Sequence, residues 1–300
     1  MTGLAKPLFK WTGGKGRLLQ KYTDLCFFPD PDRFDVFVDL FFGGGAVTCW
    51  VAERYPDKKL IINDLNTEMM NMIFQIRNNW AEFRDYYLRV SEVFLNTPQD
   101  RRKALYNCYK YRYAWNYDHL SEAEIAANLL VMLKTNFNGI WQGYKMYGER
   151  YSTPPGHINY KASLFDMEKL EAFRDMLCRA EVYCRSFEDV PIPERSWIFA
   201  DPPYRDTKKM YSDQFDDQLQ DILAEHLVCA AAEKGALYAE SNKEIGDGFW
   251  TSRFPADYIN FLDHKYTCGH GGAVNPVTEV LIKNYGNNIP PSVDLESFMS

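Results

Sequence analysis

The stretch "DVFVDLFFGGGAV" (Asp35 to Val47) decides the fold. An apolar run stops at three glycines, and a helical pattern, "AVTCWVAERY", begins at once. A continuous apolar run of this length reads as a strand buried on both faces that enters a tight turn. "KLIIND" (Lys59 to Asp64) reads as a second strand. "NTEMMNMIFQIRNNW" then supplies a second helix, with Asn66 or Thr67 as its cap and Glu68 in its first turn. Two strand–helix units in succession predict a parallel, doubly wound α/β sheet.

Further along, the pattern changes at about residue 80 and returns at about residue 163. Helical periodicity runs to Lys134, clearest in "EIAANLLVML". A polar, glycine- and aromatic-rich stretch follows, "TNFNGIWQGYKMYGERYSTPPG" (Thr135 to Gly156), where Asn138-Gly139 and Gly148 signal a hairpin or protruding loop. Strand–helix alternation resumes with "AEVYCRSF" and "SWIFADPPY". The segment from Asp216 to Lys234 places Leu219, Ile222, Leu223, Leu227 and Ala230 on one helical face. "ALYAESN" and "EVLIKNY" read as further strands. The expected organisation is an α/β domain of residues 1–79 and 164–287, a helical insert at 80–163, and a loosely held tail at 288–300.

Composition narrows the function. The chain has 300 residues, 46% of them hydrophobic, with no long apolar run. A buried core is expected, with no membrane span and no signal-like N-terminus. Seven cysteines without a C-x-x-C pair argue for free thiols in a reducing, cytoplasmic setting, not for a disulfide or zinc framework, and no metal is expected. Net charge is −7, yet residues 101–150 hold eight Lys and Arg against four Asp and Glu, which leaves −11 on the remainder. The same window holds ten aromatic residues, including the run "YNCYKYRYAWNY" from Tyr106 to Tyr117. Interleaved basic and aromatic residues suit a nucleic-acid-facing module. An amphipathic helix burying its rings accounts for the tyrosine run equally well.

Three motifs can carry chemistry. Gly43, Gly44 and Gly45 sit between strand and helix, where a ligand can approach the backbone closely. Asp64 ends the next strand, a position from which a carboxylate holds ribose hydroxyls, so the pair reads as a nucleoside cofactor site. Thr48 stands where a dinucleotide fingerprint needs its last glycine, and "TGGKGR" lacks the upstream glycine of a Walker A box. Upstream, "PLFKWTGGKGRLL" (Pro7 to Leu19) sets Lys10, Trp11 and Lys15 around two glycines. Trp11 offers a face to an adenine ring or a sulfonium, unless this basic arm simply packs on its own domain.

The third motif is "FADPPY" (Phe199 to Tyr204). Prolines after Asp201 hold the backbone extended at the end of a strand. The exocyclic amine of a nucleobase is a poor nucleophile, because its lone pair is delocalised into the ring. The Asp201 carboxylate and the Pro202 carbonyl can accept its two N–H groups while the Tyr204 ring stacks on the base, a preorganised set of acceptors. The methyl of S-adenosylmethionine would be the electrophile, brought in line across the glycine turn and Asp64. The bland alternative is Asp-Pro-Pro as an ordinary loop entry.

Taken in order from Pro7 to Tyr285, the motifs resemble the Dam-type DNA adenine methyltransferases, the alpha-ordered D12 class marked by a DPPY motif. "FKWTGGK" is similar to that family's N-terminal cofactor motif, "VDLFFGGGAV" to its glycine-rich motif and "INDLN" to its ribose-binding motif. "FADPPY" matches the catalytic motif, the Thr135 to Gly156 stretch the target-recognition hairpin, and "GGAVNPVTEVLI" the closing segment. The resemblance implies a Rossmann-like methyltransferase sheet, at 1–79 and 164–287, that binds S-adenosylmethionine, with 80–163 as the DNA-recognition insert. It implies cofactor contacts from Trp11, Lys15, Phe41, Gly43, Gly45, Asp64, Phe187 and Asp201. It assigns catalysis to Asp201, Pro202, Pro203 and Tyr204. It assigns DNA contacts to Lys10, beside a guanine, and to Phe137, Asn138, Gln142, Lys145 and Arg150 in the hairpin.

The implied reaction is methylation of the 6-amino group of adenine in a short site of double-stranded DNA, GATC-like, after the base is flipped out. One departure bears on that site: Gln142 stands where the family usually offers an arginine, so Lys145 or Arg150 would have to take over the reading of guanine. Other readings are an RNA or protein-amide methyltransferase and a non-catalytic DNA-binding relative. Asp instead of Asn at 201 and the large insert favour DNA. A cognate restriction enzyme is left open.

Overall fold

The computed structural model describes residues 5–11, 13–115, 117–137, 139, 153–156, 162–205, 215–265 and 276–286. Their helices are α1 (Leu19–Asp24), α2 (Ala46–Arg54), α3 (Thr67–Asn78), α4 (Trp80–Asn96), α5 (Arg102–Trp115), α6 (Glu122–Thr135), α7 (Met167–Cys178) and α8 (Asp217–Lys234). Their strands are β1 (Val36–Asp39), β2 (Lys59–Asn63), β3 (Ala180–Tyr183), β4 (Ser196–Ala200), β5 (Leu237–Lys243), β6 (Ile259–Lys265) and β7 (Pro276–Lys283). The chain divides into two compact units. One comprises 1–14, 43–54 and 64–184, the other 15–42, 55–63 and 185–300. The chain therefore passes from the second unit to the first just after β1 and at the end of β2.

The second unit holds six of the seven strands of the sheet, in the order β2-β1-β4-β5-β7-β6. Strands β2, β1, β4 and β5 are parallel, with Val38 paired to Ile61 on one side and to Ile198 on the other. All residues of β1 and β4 are buried, which is why they read as mostly apolar stretches without alternation. Trp197 anchors the core against Phe27, Phe34 and Phe37, with ring centroids 5.0–5.3 Å away. Its indole N–H donates to the Tyr285 hydroxyl at 3.0 Å, so the buried indole is satisfied. Beyond β5 the sheet turns antiparallel, β7 lying between β5 and β6. The strand "INFLDHK" of β6 escapes sequence reading because it sits at the sheet edge and mixes charged with apolar residues.

In the first unit the caps follow the sequence. The Asn66 side chain accepts from the Met69 N–H at 3.1 Å to start α3, and Ser121 accepts from Glu124 N–H at 3.2 Å to start α6. Helix α6 is buried nearly all round, from Ala123 to Leu133, so it forms the middle of this unit instead of a surface stripe. The tyrosine-rich helix α5 buries Tyr106 and Tyr113 and exposes Tyr111. Past α6, Asn136 and Pro155 form an antiparallel bridge. Phe137 N–H donates to the Pro154 carbonyl at 3.0 Å, and Gly156 N–H to that of Thr135 at 2.8 Å. The two ends of the glycine- and aromatic-rich stretch are thus zipped together, as a hairpin requires. Asn138, Gln142, Lys145 and Arg150 lie outside the described residues, as does the tail at 288–300.

Candidate active site

In the first unit the glycine turn is built around Trp11 and Asp64. Gly43 and Gly45 adopt φ of +50° and +72°, a region that costs other residues strain. A Cβ on Gly44 would lie 2.9 Å from the Trp11 Cβ, so the missing side chain is what lets Trp11 lie against the turn. Asp64 accepts the Gly43 N–H at 2.8 Å through Oδ2 and the Asn66 N–H at 2.9 Å through Oδ1. Burial raises its carboxyl above the usual range, and the backbone N–H groups of Asn66, Gly43 and Leu65 pull it back. Lys10, exposed, precedes Trp11, and its backbone lies against Gly139 at the foot of the hairpin, where an added Cβ would meet the Lys10 carbonyl at 2.4 Å.

In the second unit the end of β4 carries Asp201. The buried Lys15 ammonium lies 2.6 Å from Asp201 Oδ1 and 4.7 Å from the centre of the Tyr204 ring. One cation therefore ties the carboxylate and the ring of the tetrapeptide together. Burial lifts the Asp201 carboxyl to about 6, against the pull of Lys15. The buried Glu279 of β7 adds to the rise. The Tyr204 hydroxyl shares a 2.7 Å hydrogen bond with Ser241, which also accepts from Tyr22 at 2.8 Å. Phe41 and Phe187 face each other at 5.7 Å, and Phe215 touches both. Asn63, at the end of β2, accepts from the Arg185 N–H and donates to the Leu40 and Arg185 carbonyls at 3.0–3.1 Å. That clasp fixes the turn leading to Phe187.

This spacing and geometry have a counterpart among known proteins. The model of the D12 class N6 adenine-specific DNA methyltransferases matches residues 11–235. The chain belongs to this family.

Relatives of this methyltransferase are themselves described as type II methyltransferases. M.MjaIII of Methanocaldococcus jannaschii is 28% identical over 210 residues, covering 69% of this chain and 72% of the relative. M1.LlaDCHI of Lactococcus lactis subsp. cremoris is 28% identical over 204 residues, 66% of each. M.FokI of Planomicrobium okeanokoites is 26% identical over 303 residues, 94% of this chain but 43% of the relative, so the chain spans less than half of that protein.

Several residues of the methyltransferase's second unit went unread in the sequence. Arg205, next after the tetrapeptide, is gripped by Asp217 and Asp247, with all four contacts at 2.8–3.1 Å, and its guanidinium lies 3.7 Å from the Phe249 ring centre. Gln220 on α8 donates to the Pro203 carbonyl at 2.9 Å. Gln220 is fully buried among Leu223, Ala224 and Leu227, whereas Leu219 and Ile222 are only half-buried. A signal existed: a polar residue in step with an apolar stripe, and the polar run Glu240-Ser241-Asn242 ending a buried strand. Among the described residues no group of three or more His, Cys, Asp or Glu is placed to hold a metal ion. Among them also, no helix is long and apolar enough to cross a membrane.

Proposed function

We propose that this methyltransferase moves a methyl group from S-adenosylmethionine to the 6-amino group of an adenine flipped out of duplex DNA. The observation that carries the reading is Asp201 at the end of β4, with Lys15 on its Oδ1 and the Tyr204 ring beside the same ammonium. The Asp201 carboxylate and the Pro202 carbonyl are the two acceptors we assign to the substrate amine. Asp201, ionised above about 6, is the group we assign to receive the proton that the amine sheds. Tyr204, its hydroxyl fixed by Ser241, offers its face to the base, with Pro203 stiffening the turn between the two. Flipping costs a few kcal/mol, and stacking on one aromatic ring returns about 1–3 kcal/mol.

The residues present fit the cofactor. Asp64 accepts the Gly43 N–H through Oδ2 and the Asn66 N–H through Oδ1, and its carboxylate is the group assigned to the ribose hydroxyls. Gly43 and Gly45 keep the turn open to close approach, and Trp11 covers it; Lys15, Phe41 and Phe187 are assigned to the same ligand. S-adenosylmethionine would supply an electrophilic methyl on a sulfonium. Residues 80–163 are assigned to DNA recognition, with Lys10, Phe137, Asn138, Gln142, Lys145 and Arg150 facing the duplex. A GATC-like target and a cytoplasmic place of action complete the reading.

The test treats plasmid DNA with the protein and labelled S-adenosylmethionine, followed by mass spectrometry of nucleosides and mapping of the modified sites. N6-methyladenine at one short motif is expected, lost in Asp201→Ala. Methylated cytosine with unmodified adenine overturns the base assignment, and full activity of Asp201→Ala overturns the mechanism. Calorimetry of Asp64→Ala checks the cofactor site, where about 1–3 kcal/mol of binding should disappear.

A further inference from the structure

Asp201 and Tyr204 are explained by the reaction, but a buried polar pair behind them is not. Gln220 and Asn242 are both fully buried. Gln220 Nε2 donates to the Pro203 carbonyl at 2.9 Å, and its Oε1 accepts from Asn242 Nδ2 at 3.0 Å. Asn242 Oδ1 in turn accepts the Arg205 N–H at 3.2 Å and the Lys243 N–H at 2.9 Å. The last acceptor of Pro203 and the first donor of Arg205 are thus held by two side chains bonded to each other. Those two groups flank Tyr204 on either side. The Arg205 side chain reinforces the grip through Asp217, which opens the helix that carries Gln220.

We propose that Gln220 and Asn242 are positioning residues that act through Tyr204, fixing the backbone on both sides of it so that its ring stands ready to stack on the target base. A carbonyl and an N–H buried at a turn need partners, and water or neighbouring backbone would ordinarily serve. Here two side chains, Gln220 from α8 and Asn242 from β5, are brought in for it and bond each other, and Asn242 Nδ2 also reaches Glu240 Oε1 at 3.4 Å. The Tyr204 hydroxyl is pinned by Ser241, the neighbour of Asn242 on β5, so the tip and the root of the same side chain are fixed from one strand. The inference rests on the assignment of Tyr204 to base stacking made above.

A double-mutant cycle tests it, with kcat, KM for DNA and the fluorescence of a duplex carrying 2-aminopurine at the target position as readouts. Gln220→Met removes the hydrogen bonds at similar volume. It should lower kcat about ten- to a hundredfold, since small misplacements of a positioned group cost that much, with KM for DNA nearly unchanged. It should also alter the 2-aminopurine signal, which reports stacking on Tyr204. In a Tyr204→Ala background the same substitution should cost no further kcat. An equal loss in both backgrounds, or no loss in either, overturns the inference while leaving the methyltransferase reading intact. Full turnover in Tyr204→Ala alone overturns the stacking assignment and the clamp with it. Should Gln220→Met not fold, Gln220→Glu serves: it keeps the acceptor for Asn242 and donates to Pro203 only when protonated. Its activity relative to the parent should then rise as pH falls, and a constant ratio overturns the clamp.

Discussion

Asp201 is a carboxylate partly withdrawn from water, and the proposed reaction needs it ionised. Burial raises it to about 6, and Lys15 keeps it from rising further. The direction of the pH dependence follows. Above about 6 the group is an acceptor, below it a protonated acid, so kcat/KM should fall as pH drops through that value. Replacing Lys15 by Met removes the ammonium that favours the charged form, so the acid limb should move to higher pH. A pH–rate profile of the two proteins checks this, and coincident limbs would exclude Asp201 as the titrating group. The ammonium does a second service, since a cation beside the Tyr204 ring restrains the ring that the base would meet.

Among elements, the foot of the hairpin is the point where sequence chemistry can be tested most directly. Gly139 has φ of +72°, and a Cβ there would sit 2.4 Å from the Lys10 carbonyl. Its N–H donates to the Asn136 side chain at 3.1 Å, so the turn and the N-terminal arm are locked together. Gly139→Ala combines left-handed strain with a backbone clash and should cost about 1–3 kcal/mol of stability. It should also weaken duplex binding while cofactor affinity holds, because the hairpin and Lys10 are displaced together. Gly16→Ala is the control, for an added Cβ there meets nothing within 4 Å. Equal melting temperatures for the two variants would contradict the account.

At the scale of the whole molecule, an acidic protein has to approach a polyanion. The net charge of −7 repels DNA, so on the proposed assignment the surplus of basic residues in 101–150 carries the approach. Affinity for duplex should therefore fall steeply with salt, with a slope of about −0.9 per phosphate contact on a log–log plot. Charge reversal at Lys145 or Arg150 should weaken binding and flatten that slope. Reversal at Lys59, exposed at the N-terminal end of β2 and away from the strand ends that carry the site, should change neither. Fluorescence anisotropy across a salt series distinguishes these outcomes, and equal effects at all three positions would remove the insert from the interface.

The sequence by itself determined the strand-and-turn frame and the residues at its ends. The mostly apolar strands β1, β2 and β4 lead into Gly43, Asp64 and Asp201, because parallel strands buried on both faces are rich in apolar residues until they leave the core. Those strand ends are local, so they could be read residue by residue. Only the tertiary structure decided what meets them. Lys15 and Asp201 are far apart along the chain, and no periodicity links them; their ion pair exists because the chain between them folds back through three parallel strands. Gln220 lies in step with the apolar stripe of α8, and Asn242 near the end of β5. Each is a buried polar group that became interpretable once its partner was visible, since a hydrogen bond between distant residues leaves no pattern in one dimension.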